Sequence, residues 1–65
     1  MNRVFQYFSR EVAGFLVNYP ANDVAEQFSD LMYVRIFTPE QLSAIAALGF
    51  EVIAVPDPRD VVVAS

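Results

Sequence analysis

Sixty-five residues make one domain, 1–65, and a chain this short buries only about 60% of the surface its unfolded form exposes. With 55% hydrophobic residues, six Phe and three Tyr, and neither Cys nor His, stability must come from dense apolar packing or from a second chain. Disulfides, thiol nucleophiles, imidazole bases and the usual zinc ligands are absent from the inventory. The net charge is −4 and no Lys is present; the cations Arg3, Arg10, Arg35 and Arg59 are scattered, so nothing offers the clustered charge that grips a phosphate backbone.

The first segment contains Val, Phe and Tyr that would suit a strand, but its spacing predicts a helix over 1–19. At 100° per residue, Met1, Val4, Phe5, Phe8, Val12, Phe15, Leu16 and Tyr19 fall within an arc of roughly 120°, the width of a core-facing stripe. A strand reading needs a turn near Ser9-Arg10-Glu11, where no Gly, Asn, Asp or Pro offers one. Tyr19-Pro20 ends the segment.

Asn22 is the expected N-cap of a second helix, with Asp23 and Glu26 in its first turn complementing the dipole. Val24, Ala25, Phe28, Leu31 and Met32 share its apolar face, and Tyr33–Phe37 reads as a short strand. Thr38-Pro39-Glu40-Gln41 supplies an N-cap, a proline at the first helical position and a capping-box partner for helix 39–48. Gly49 is its expected terminator. Residues 50–55 read as a strand, 56–60 as a turn and 61–64 as a final strand. The expected fold is therefore α+β, in the order α-α-β-α-β-β, with a short three-stranded sheet packed against amphipathic helices. Within it, 33–37, 39–48 and 50–55 would form a compact βαβ unit.

Catalysis finds no constellation here: the serines have no activating base, two glycines cannot build a phosphate loop, and Asp57 with Asp60 is the one close loop pair of acids. A turn whose short acids bond its own backbone accounts for that pair. No catalytic residue, metal ligand or cofactor is expected. Asp23, Glu26 and Asp30 make an acidic stripe that is either a solvated face or a patch for a basic or apolar protein surface. Tyr7, Val17 and Tyr33 fall off the apolar arcs of their segments, positions that suit binding hot spots or a sheet packed across them. Phe5, Phe8, Phe15 and Tyr19 are candidates for core, for a homodimer or partner interface or for a membrane-surface face, the last usually wanting more cations. No apolar run approaches the ~20 residues that span a bilayer, and no signal-peptide layout is present; the expected compartment is the cytoplasm.

Segment 38–64, with Asp57-Pro58-Arg59-Asp60 before a valine-rich return strand, resembles the end of a winged-helix domain. That resemblance implies a winged-helix-like shape and a transcriptional regulator, but helix 39–48 carries Glu40 and no cation. Gly49-Phe50-Glu51-Val52 is similar to a stretch of small phage inhibitors of bacterial RNA polymerase. The functional expectation is a small acidic protein-interaction module acting by stoichiometric binding, an inhibitor of a host protein or nucleoprotein machine of the phage or mobile-element type, such as an anti-CRISPR or polymerase inhibitor. A structural homo-oligomer subunit is the alternative from a different class.

Overall fold

The computed structural model describes residues 3–59. The element order is β1 (Val4–Val12), β2 (Phe15–Pro20), α1 (Asp23–Met32), α2 (Pro39–Ala47) and β3 (Glu51–Ala54). The three strands form one sheet in the order β2-β1-β3, with β1–β2 antiparallel and β1–β3 parallel. The α+β class and three-stranded sheet stand, but the expected order α-α-β-α-β-β is replaced by β-β-α-α-β.

The N-terminal helix is thus corrected to a hairpin. Its turn lies at Ala13-Gly14, four residues beyond Ser9, and both residues have positive φ, 52° and 83°. That is the signature of a type I′ turn, whose twist matches paired strands. The apolar residues mimic a helical stripe because both faces of the sheet are apolar. Phe5 and Tyr7 point to the helices, whereas Phe8, Val12, Phe15 and Tyr19 occupy the other face, as the alternation of paired residues requires.

The cap chemistry is realised as the sequence predicts. Asn22 caps α1 by accepting the Ala25 N–H, and Thr38 with Gln41 completes the capping box of α2. Gly49 follows α2 at φ 102°, with its N–H bonded to the Ala46 carbonyl at 3.0 Å. Residues 33–37, expected as a strand, are instead a link between the helices, and Phe37 makes a single antiparallel bridge to Asn18. The expected βαβ unit is corrected accordingly, because β3 runs parallel to β1 and not to 33–37. β3 joins the N-terminal hairpin, and Asp60 and the expected return strand 61–64 of the winged-helix resemblance lie outside the described residues.

Phe5, Ala25, Phe37 and Ile45 are buried between the helices and one sheet face. Phe37, Phe5, Phe28 and Phe50 form an edge-to-face run, with successive centroids 5.1, 5.7 and 5.1 Å apart. Rings in this geometry add roughly 0.5–1.5 kcal/mol per pair beyond area burial. Asn18 ties the link down: its amide donates to the Phe37 carbonyl at 2.9 Å, and its backbone carbonyl accepts the Phe37 N–H at 2.9 Å.

Asn22 does more than cap. Its carbonyl oxygen also accepts the Gln6 N–H at 3.2 Å, and its amide donates to the Val4 carbonyl at 2.8 Å. Replacing Asn22 by Ala removes a cap and two bonds to β1, and should lower stability by about 2–3 kcal/mol in urea denaturation. Conversely, Ala13→Asn relieves a left-handed alanine and should raise it by about 0.5–1 kcal/mol. A stability unchanged by either substitution would contradict this arrangement of the cap and the turn.

Candidate functional site

Two surfaces stand out from the packed core, one on each layer. The first belongs to α1 and the link after it. Asp23, Glu26 and Asp30 are all exposed on the solvent side of α1, as their spacing requires once Ala25, Phe28 and Met32 turn inward. At the C-terminal end, Leu31 is 75% exposed and Tyr33 is 95% exposed.

Tyr33 has φ 56° and ψ 42°, in the left-handed region. Its N–H bonds the Asp30 carbonyl at 3.4 Å, and the Val34 N–H bonds the Ser29 carbonyl at 3.1 Å. These two bonds define a Schellman motif, in which Tyr33 occupies the position that usually goes to glycine. The Ser29 hydroxyl donates to the Val34 carbonyl and braces the same turn. An L-residue in this conformation costs roughly 1–2 kcal/mol, and the exposed ring recovers nothing from the fold. Ser29, Asp30, Tyr33, Val34 and Arg35 line an open depression at this corner.

The second surface is the sheet face turned away from the helices. Strand alternation puts Phe8, Arg10 and Val12 of β1 there, with Phe15, Val17 and Tyr19 of β2 opposite them. Gln6 lies opposite Ile53 of β3, and the next residues on that row are Val55 and Asp57. Phe8 and Tyr19 stack with centroids 5.3 Å apart and planes 19° from parallel. The Arg10 guanidinium carbon lies 5.2 and 5.3 Å from the two ring centroids, within the range of a cation–π contact.

Asp57 holds that guanidinium from the other side. Arg10 Nε and Nη2 donate to Asp57 Oδ2 and Oδ1, each at 2.8 Å. The Asp57 side chain is only 4% exposed, against 25% for Arg10. Asp57 also accepts the Arg59 N–H at 3.0 Å, closing a turn flanked by Pro56 and Pro58. The backbone bond is the role that the sequence predicts for this acid; the bidentate pair with Arg10 is an addition of the tertiary fold. Its signal would have been Arg10 lying on the same strand face as Phe8, visible only once β1 is read as a strand.

Of the other expected site residues, Phe5 is 0% exposed and the half-buried Tyr7 packs against the core, both on the helix-facing side of the sheet. Phe8 and Tyr19 are half-buried on the open sheet face, and Phe15, 73% exposed, projects beside the hairpin tip. Asp23, Glu26, Asp30 and Tyr33 come together along α1 and its end. Among the described residues, no group of three acidic or other ligating side chains could hold a metal, and no helix is long and apolar enough to cross a membrane. No family model matches the chain, and no curated protein or solved structure matches it either.

The hydrogen bonds from Arg10, then that from the Arg59 backbone, lower the Asp57 pKa from 3.8 to about 2. A depressed folded-state pKa stabilises the fold above the unfolded value, and that contribution is lost as pH falls from 3.8 through about 2. Asp57→Asn should therefore show a shallower loss of stability than wild type across this window in acid titrations followed by circular dichroism. Parallel curves would remove Asp57 from the acid response.

Proposed function

We propose that the chain acts by stoichiometric binding to another protein, as an inhibitor or adaptor, through α1 and Tyr33. The observation that carries this reading is Tyr33 itself: a large aromatic side chain, 95% exposed, at a backbone position that glycine would occupy with less strain. An exposed aromatic ring at a helix end that also exposes Leu31, with a polar rim, has the composition of a binding hot spot. The acids Asp23, Glu26 and Asp30 extend that rim along the helix and set the chemistry of the partner. It should present a basic surface with an apolar slot, such as the surface on which a nucleoprotein machine holds nucleic acid.

An inhibitor of the phage or mobile-element type fits this surface, and so does an adaptor of a larger assembly. Catalysis has no support on either surface, because neither brings a nucleophile and a base together. Nor does DNA reading by α2, whose first turn carries Glu40.

The test compares the full chain with Tyr33→Gly and with the triple reversal Asp23→Lys, Glu26→Lys, Asp30→Lys as bait for a partner. Tyr33→Gly should leave folding stability equal or raise it by up to ~1 kcal/mol, while weakening partner affinity about tenfold or more. The triple reversal should weaken binding and reverse the sign of its dependence on salt, since screening then relieves a repulsion. A partner held equally well by the folded variants and by wild type would overturn this surface as the binding site.

A further inference from the structure

We infer that the open face of the sheet is covered by a second copy of this chain, giving a dimer in which two sheets pack face to face. Both helices lie on the opposite side: the strand residues that join the buried cluster or pack against it, Phe5, Tyr7 and Val52, all belong to the helix-facing rows. Phe8, Val17, Tyr19, Ile53 and Val55 therefore line a second apolar layer that is only half-buried, with Phe15 more exposed at its rim. The described residues of one chain do not complete a core on this side.

Charge decides what kind of surface can complete it. Inside this field the full charges are Arg10 and Asp57, which neutralise one another at 2.8 Å; Glu51 lies at its far end. Four of the eight acids, Asp23, Glu26, Asp30 and Glu40, sit on the helices. Two copies meeting through their helices would oppose like charges. Two copies meeting through their sheets put the acidic layers on the outside. With layers about 10 Å apart, the helix layers would lie on the order of 30 Å from each other, well beyond the ~8 Å screening length. The surface that must cover this face is largely apolar, with its central ion pair neutralised internally and Glu51 at the far end, which is a description of the face itself. A two-fold interface needs that self-complementarity.

The available area is sufficient. A standard interface takes roughly 800 Å² per partner, about a sixth of the 4931 Å² of this chain. One broad face of a 39 × 29 × 18 Å body presents about a quarter of its surface. The dimer leaves α1 and Tyr33 on the outside, so it goes beyond the binding surface proposed above and would carry two copies of it.

The experiment is sedimentation equilibrium of the full chain from about 5 to 500 µM, with thermal unfolding at each concentration. The expected result is a twofold mass at the upper end and an unfolding midpoint that rises with concentration. Val17→Lys with Ile53→Lys, both outward-facing on a single copy, should give a folded monomer by circular dichroism whose midpoint is independent of concentration. Asp30→Lys with Tyr33→Gly should remain dimeric, which separates this interface from the partner surface. If the Lys variant does not fold, the single substitution Phe15→Lys at the rim should weaken dimerisation at least tenfold. A wild-type monomer throughout the range overturns the proposal. A dimer insensitive to Phe15, Val17 and Ile53 overturns it as well.

Discussion

The side chain of Asn22 fixes the geometry on which the remaining packing depends. Pro20 stands opposite Tyr7 at a non-hydrogen-bonded position of the ladder between β2 and β1, so its missing N–H costs that ladder nothing. Ala21 makes one more bond, from its N–H to the Gln6 carbonyl at 2.9 Å, and the Asn22 amide then takes over. It accepts from Gln6 and donates to Val4 while also accepting from the first turn of α1. An amide supplies both an acceptor and donors on one planar group; a carboxylate lacks the donors and a hydroxyl lacks the reach. The start of α1 is thereby pinned to the central strand, and Ala25 and Phe28 are delivered onto Phe5. The small Ala25 permits the close approach, and the aromatic run from Phe37 to Phe50 follows from it.

That placement makes the molecule two-layered. Both helices are committed to one side, and the other side is organised by a different device. Arg10 is neutralised by Asp57 and laid over the Phe8–Tyr19 stack, so a long cationic side chain covers apolar surface instead of standing away from it. Asp57 in turn fastens the segment after β3 to β1, which extends the reach of a strand only four residues long. Polar and apolar functions are thus segregated by layer, with acids and Tyr33 on the helical side and neutral aromatic surface on the sheet side.

Features encoded by local chemistry were legible in the sequence. Asn22, the Thr38–Gln41 box, Pro39 and Gly49 act within a few residues of themselves, and they locate both helices to within a residue or so. The apolar run after Gly49 marked β3. The hairpin was illegible because strand alternation shows only when one face is polar. Here Phe5 and Tyr7 on one side and Phe8 and Val12 on the other erase the period of two, and Gly14 reads as an interior defect of a helix. The exposed acids and Tyr33 could be read from their helical spacing. The Arg10–Asp57 pair could not, since its members are 47 positions apart and meet only after β3 has aligned beside β1.

The parallel pairing of β1 with β3 also has a kinetic consequence. The central strand of the sheet is the first described element, and one of its two neighbours is the last. The hairpin can close early through its two-residue turn, but one edge of β1 stays unpaired until both helices have formed and brought Glu51–Ala54 back to it. Closing so long a loop carries an entropic cost that is recovered only when the final contacts form. Folding is thus expected to be held up at its last step, with a half-made sheet as the species to be protected from unwanted pairing.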